Sequence, residues 1–385
     1  MFSFLSKKKY REETALVFIV ESGKIISAII KYDDSNLPEI IFSQKSNIDI
    51  EQTVDPVKLQ EAVLAKLSST AESILKDQLA VLKISNSHSI SIHIFLGSLW
   101  CVTKKVGSEY IKEKEFFISE DLIMKISKED PPNSDTEVMI EKKVVSIKAN
   151  GYNIETPLNQ RANELMIVSL VSTSPKIFID EVEKKLLQYF PKSKIDFHTT
   201  AVAIFPVAKL LAKKQDFIVF IPEHEVSDII VARKGSVDRV VSVPYGKNSP
   251  VRDLSMTFKG SAGEAHSILT LYMADKLEED KRKNVSSFLD ESKIKFQNYL
   301  RDALRKLSST IFLPEDIVLS NNSVMTKLIG EWIHTEEFTS KTMTIKSFNV
   351  SFMENKDIIN EVTIRNKSNY VNPILISVVL YLKSN

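Results

Sequence analysis

The sequence predicts an α/β protein built as more than one packed unit, on three observations. Residues 217–254 hold three short β-branched runs separated by turns, beginning with Phe217-Ile218-Val219-Phe220-Ile221, and short runs of this kind between turn residues form a β-meander. Residues 56–75 and 177–189 carry apolar side chains at helical spacing, among them Val57, Leu59, Val63, Leu64, Leu67 and Ile74 in the first, and Phe178, Val182, Leu186 and Tyr189 in the second. The chain has 385 residues, more than one hydrophobic core normally serves.

Composition narrows the class. The chain is 43% hydrophobic and 26% charged, ordinary for a globular protein, and its net charge of +1 gives no global pull towards nucleic acid. A single cysteine, Cys101, excludes an internal disulfide and a cysteine-based metal cluster and fits a reducing cytoplasm. No apolar run reaches the ~20 residues of a membrane helix. The leader places Phe2, Phe4 and Leu5 ahead of Lys7, Lys8 and Lys9, the reverse of a signal peptide; it predicts weak, reversible contact with an anionic membrane face.

In chain order, residues 14–20 and 24–32 form a hairpin around Glu21-Ser22-Gly23, residues 56–75 a helix and 79–84 a strand. From 85 to about 170 the texture changes. Ile90, Ile92 and Ile94 alternate with polar residues, 121–127 forms a short helix, and Asp130-Pro131-Pro132-Asn133 breaks the chain. This stretch is expected to fold as an inserted α+β subdomain. After the helix at 177–189 come a strand at 195–198 and a helix from 201 to 211 interrupted near Pro206. The meander follows, then charged helices from 253 to 306, a strand at 317–319, and a helix leading to Trp332. Strand-like runs at 343–352 and 358–364 and an apolar segment at 373–382 close the chain.

The order of these pieces resembles the bacterial actin-like proteins FtsA, of cell division, and PilM, of type IV pilus assembly. Asn150-Gly151-Tyr152 through Pro157 is similar to a segment of the FtsA inserted subdomain. Val243-Pro244-Tyr245-Gly246-Lys247, then Arg252-Asp253-Leu254, is similar to the family's Ile-Pro-x-Gly-Gly…Thr-x-Asp-Ile. Ile317-Val318-Leu319-Ser320-Asn321-Asn322-Ser323 resembles its adenosine loop. The resemblance implies an actin-like (ribonuclease H-like) two-lobed fold. Residues 1–84, 171–214 and 356–385 would make the first lobe, 215–355 the second, and 85–170 the inserted α+β subdomain.

The departures fall where the family holds ATP and magnesium. Against its first loop, Leu-Asp-Ile-Gly-Thr, stand Val17, Phe18, Ile19, Val20 and Glu21: Phe18 replaces the Asp that would organise magnesium, and Val20 the Gly. Against its second loop stand Pro222, Glu223, His224, Glu225, Val226, Ser227 and Asp228. Pro222 lacks an amide, and Glu223 and Glu225 would set like charge against phosphate, roughly 4 kcal/mol for one pair at ~4 Å and an effective dielectric near 20. Asn321 and Asn322 replace the adenosine-loop glycines, and Asn tolerates left-handed backbone. Asp228 and Asp253 keep family positions but serve equally as turn and helix caps; a shifted register would instead bring Asp228 or Asp33 towards the phosphates.

Other chemistry is weaker. Glu223-His224-Glu225 with His198, His266 or His334 offers metal-donor types without HExxH or CxxC spacing, and Cys101 with His88 or His93 lacks an oxyanion-type turn. The expectation is a non-catalytic pseudo-ATPase without cofactor, cytoplasmic or peripheral at the inner face of the membrane. It would be a scaffold that binds protein partners of a cell-division or pilus machine through the inserted subdomain, with self-association a second use. The alternative is an active polymer-forming protein that holds ATP and Mg2+.

Overall fold

A computed structural model describes residues 13–79, 90–127, 135–154, 156–308, 312–334, 338, 342 and 346–384. The leader residues Phe2 to Lys9, His88, most of the strand expected at 79–84 and most of the Pro131-Pro132 break lie outside the described residues.

The first sheet grows from the N-terminal hairpin. Strands β1 (Glu13–Val20) and β2 (Lys24–Tyr32) pair antiparallel with Val20 opposite Ile25, so the turn Glu21-Ser22-Gly23 projects from one end. Strand β3 (Glu39–Asn47) follows, then helix α1 (Pro56–Ser73), capped by Asp55, whose carboxylate accepts from the amides of Val57 and Lys58 at 3.0 and 3.3 Å. Strand β4 (Ser91–Leu96) runs parallel to β1. The alternation of Ile90, Ile92 and Ile94, read above as part of the inserted unit, therefore belongs to the first sheet.

The chain then leaves this sheet. Strands β5 (Val102–Phe117), β6 (Glu137–Ala149), β7 (Tyr152–Asn153) and β8 (Arg161–Pro175) form a separate sheet in the order β5-β8-β6-β7, with helix α2 (Glu120–Ser127) packed through Ile123 and Ile126. The inserted sheet thus starts at Val102 rather than near 85 and ends past Leu170. Helix α3 (Lys176–Leu187), strand β9 (Lys194–Thr199) and helix α4 (Thr200–Ala212) return to the first sheet. Helix α4 runs through Pro206 without interruption, contrary to expectation. It is buried along most of its length, and that packing offsets the one hydrogen bond that proline removes.

The second sheet has the order β12-β11-β10-β13-β14. Its meander is β10 (Phe217–Pro222), β11 (Ser227–Arg233) and β12 (Ser236–Val243), with β13 (Asp316–Leu319) and β14 (Asn349–Phe352) added in parallel. Helices α5 (Asn248–Phe258), α6 (Ala262–Met273), α7 (Glu279–Ser308) and α8 (Val324–Ile333) cover its outer face. The run at 358–364 is mostly not strand: α9 (Asn355–Ile358) and a 3-10 turn precede the two-residue β15 (Thr363–Ile364), which pairs with β3. Helix α10 (Pro373–Lys383) closes the chain.

Strand alternation sorts the core. Leu16, Phe18 and Val20 face α1 and α3, whereas Ala15, Val17 and Ile19 join α4, α10 and Phe217, Val219 and Ile221 of the second sheet. Helices α4 and α10 lie in the layer that the two sheets share. Each fully buried Ile or Phe there contributes about 1.5–3 kcal/mol, so the lobes are joined by apolar packing as well as at the cleft.

Candidate functional site

The hairpin tip of the first lobe and the β10–β11 turn of the second meet at the cleft, and charged side chains fill the junction. Glu21, 1% exposed, has Lys24 Nζ 3.0 Å from Oε1, His224 Nδ1 2.9 Å from Oε2 and Lys247 Nζ 3.9 Å from Oε2. Neither Glu21 oxygen has an aligned hydrogen bond; Lys24 and Lys247 act on it by charge, and His224 lies beside it as a polar neighbour. Burial alone would raise the Glu21 carboxyl, but Lys24 and Lys247 outweigh it and hold it well below the usual range.

Glu223 is held differently. Oε1 accepts from Thr200 Oγ1 at 3.1 Å and Oε2 from the Ser98 amide at 3.1 Å, both groups of the first lobe. Burial, with the nearby charges of Glu21 and Asp228, pushes it up to about 8, so at neutral pH it is mostly protonated. Burial and Lys24 bring Lys247 down to about 8; burial and Lys247 bring His224 down to about 4 and keep it neutral. Asp228 accepts from Ser242 Oγ at 2.7 Å and from Ser98 Oγ, and burial raises its carboxyl.

The backbone closes the junction further. The amides of Lys247 and Asn248 donate to the carbonyls of Glu223 and His224, each at 2.8 Å. Gly246 permits this approach: a Cβ there would overlap the His224 carbonyl. A Cβ at Gly23 would meet the His224 ring, and one at Gly97 the Glu223 carboxylate. Beside the junction, Arg252 Nη2 donates to both oxygens of Glu225 at 2.8 and 2.9 Å, and Arg252 Nε to the Glu51 carbonyl at 3.0 Å. What stays open is a cavity of about 270 Å3 between Ser22, Lys58 and Lys66 on one side and Glu225, Asn248 and Arg252 on the other. That is slightly below the ~300–1,000 Å3 of ordinary ligand pockets.

Several expectations change here. Phe18 and Val20 point into the core against α1 and α3, away from the cleft. Pro222 sits in the ladder opposite Ser227, whose Oγ donates to the Tyr245 carbonyl at 2.6 Å. Glu225 is neutralised by Arg252 and Glu223 is mostly protonated, so like-charge repulsion is not the main departure; occupancy is. Asp33 caps an exposed turn through Ser35 and Asn36, at the opposite end of β2 from Lys24. Asp253 faces α7, 3.0 Å from Lys295 Nζ. Asn321 Oδ1 accepts from the Ser323 amide at 3.1 Å and from Thr326 Oγ1 at 2.7 Å, Ser323 caps α8, and Asn322 is exposed. Asn321 and Ser323 thus form the start of α8, while Asn322 turns outward to Glu354.

Sequence reading gave Lys24 only as part of Ser22-Gly23-Lys24, a phosphate-like run without P-loop spacing, and missed Ser98 and Thr200, which lie at strand–loop and strand–helix boundaries with no motif to mark them. His198 sits with His93 (3.1 Å) and Glu141, His334 with the Phe348 carbonyl, and His266 is exposed. Among the described residues, no three His, Cys, Asp or Glu side chains gather to hold a metal. Burial raises the Cys101 thiol well above its usual range, which removes it as a nucleophile. For a nucleotide held as the family resemblance implies, phosphates would need the space between the hairpin and the β10–β11 turn, and there the Glu223 and His224 side chains stand. These residues do not fit that ligand.

No family model matches the chain, and no curated protein matches it by sequence. Solved structures do match. A chain of the PilM–PilN type IV pilus biogenesis complex aligns with a TM-score of 0.57 at 12% identity, over 96% of this chain and 97% of that one. The ethanolamine utilization protein EutJ from Carboxydothermus hydrogenoformans aligns with a TM-score of 0.41 at 11% identity, over 97% and 90%. A Bacteroides thetaiotaomicron protein with an actin-like ATPase fold aligns at 0.39 and 10%, over 96% of each chain. The protein has the actin-like fold: two lobes, each a mixed sheet flanked by helices, with an inserted α+β unit. Among the described residues, no helix is long and apolar enough to cross a membrane.

Proposed function

We propose that this chain is a non-catalytic scaffold that binds protein partners of a membrane-associated assembly of the kind that builds type IV pili. The observation that carries this reading is the filled cleft. Glu21 and Lys24 from one lobe and Glu223, His224 and Lys247 from the other take the place that phosphates would need, and they tie the lobes together without a ligand. Phosphoryl transfer in this fold depends on amides and a metal arranged around the β- and γ-phosphates, and side chains standing there leave nothing to arrange. The similarity of fold to a chain of the PilM–PilN complex supports the partner-binding part, with the inserted sheet as the docking element. The protein incubated with ATP and magnesium is expected to release no phosphate above the blank. Release that is lost on Asp228→Ala would make this chain an ATPase and overturn the proposal.

A further inference from the structure

The inserted sheet meets the first lobe through apolar residues such as Val138, Ile140 and Leu170 and touches the second lobe where Lys105 Nζ lies 2.9 Å from Asp238; at the start of α4 it also places one buried carboxylate. Glu141 of β6 accepts from the Thr199 amide at 3.1 Å and from Thr199 Oγ1 at 3.3 Å, both through Oε2. Its Oε1 accepts from Tyr381 Oη of α10 and lies 3.4 Å from His198 Nδ1. Thr199 is the N-cap of α4, its Oγ1 accepting from the Val202 amide at 3.3 Å, and Glu141 therefore holds the helix start itself.

The next residue faces the other way. Thr200 Oγ1 lies 3.1 Å from Glu223 Oε1 and 3.3 Å from the Leu96 carbonyl. Two consecutive residues in a fixed cap geometry thus bind Glu141 of the inserted sheet on one side and Glu223 of the second lobe on the other. A shift of Thr199 cannot leave Thr200 in place, because one peptide plane joins them.

We propose that the inserted sheet and the closure of the cleft form one coupled switch, in which Glu141 grips Thr199, Thr200 grips Glu223, and withdrawal of Glu141 from the start of α4 loosens the interlobe contact. Its use rests on the proposed function: a protein that pulls or turns the inserted sheet would be felt at Glu21, His224 and Lys247, and a change at the cleft would alter the sheet's affinity for that protein by the same factor. The coupling itself needs no partner to be present.

Proximity alone is no proof of coupling, so the test measures it on the full chain by amide hydrogen exchange. Glu141→Ala is expected to raise exchange about tenfold at the amides of Ser98, Glu223 and Lys247, with the β2 amides unchanged. Thr200→Val should do the same from the other end. Because both cut one route, the double variant should exchange no faster at the cleft than either single one. If Glu141→Ala does not fold, Glu141→Gln with Thr200→Val provides the same cycle at smaller amplitude. Faster exchange confined to residues near 141 and 199, a uniform rise over the whole chain, or single effects that multiply in the double variant would each overturn the proposal. These results are independent of ATP binding, so a failure here and a failure of the proposed function can be told apart.

Discussion

His224 of the second lobe reaches Glu21 of the first, its Nδ1 2.9 Å from Oε2. Neither residue type stands at the corresponding position in the nucleotide-holding loops that the sequence otherwise resembles. The pair joins the two lobes across the space those loops surround. Lys24 and Lys247 complete the arrangement by holding the Glu21 carboxylate charged in a buried place. An ionised carboxylate with two cations beside it is stable there only while the cleft stays shut, since removing one partner leaves a buried charge uncompensated.

The junction sets a pH dependence. Glu223 is raised from 4.5 to about 8, so its contribution to stability is full below 4.5 and is lost as pH rises to 8; Asp228 has the same sign. His224 is lowered from 6.5 to about 4 and acts oppositely below 6.5, since its contribution is lost as pH falls. Lys247 is lowered from 10.5 to about 8, so its contribution is lost as pH falls towards 8 and returns above it. Stability should fall between pH 6.5 and 8, at up to about 1.4 kcal/mol per pH unit, and recover between 8 and 10.5. Urea midpoints across this range measure it. Glu223→Gln should remove the falling limb and Lys247→Met the recovery; a flat wild-type profile would contradict the assignment.

Gly246→Ala should destabilise by about 1–3 kcal/mol, because its Cβ would meet the backbone carbonyls of Glu223 and His224 and force the turn to move. Gly107→Ala, at a place where a Cβ meets nothing within 4 Å, should cost less than about 0.5 kcal/mol. Equal denaturation midpoints for the two variants would mean that the close approach at the cleft carries no strain.

Arg252→Ala leaves the half-buried Glu225 without its cation and removes the contact to the Glu51 carbonyl. A loss of about 3 kcal/mol is expected. Arg252→Lys should restore only part of it, since one ammonium cannot serve Glu225 and Glu51 in the same geometry. Full recovery with Lys would show that charge alone matters there.

Much of the fold was legible because its signals are local. The hairpin of residues 14–32, the meander from Phe217 and the helices around 56–75 and 177–189 all announce themselves through apolar period and turn residues. Strand β5 did not, because its long edge is written in Lys104, Lys105, Glu109 and Lys112, charges that keep an exposed strand from pairing. Ile90, Ile92 and Ile94 were assigned to the wrong unit because alternation marks a strand without saying which sheet receives it. At the cleft, the sequence singled out residues of both loops but not the way they meet. Phe18 looked like the missing metal ligand and is core, whereas Thr200 and Ser98, which hold Glu223, carry no sequence signal at all. Side-chain occupancy of a cleft depends on how two distant loops meet.

The leader suggests a surface contact that can be tested apart from the fold. The intact protein should float weakly with vesicles of anionic phospholipid, and Phe2→Ser with Phe4→Ser should abolish flotation while the denaturation midpoint stays the same. Flotation that survives both substitutions would remove the leader from the mechanism.

The central claim is that side chains occupy the place of a nucleotide, and isothermal calorimetry of the full chain with ATP and magnesium tests it most directly. The account predicts no saturable heat up to millimolar ATP, an affinity weaker than about −4 kcal/mol in binding free energy. A saturable isotherm with micromolar affinity, weakened by Asp228→Ala, would contradict it.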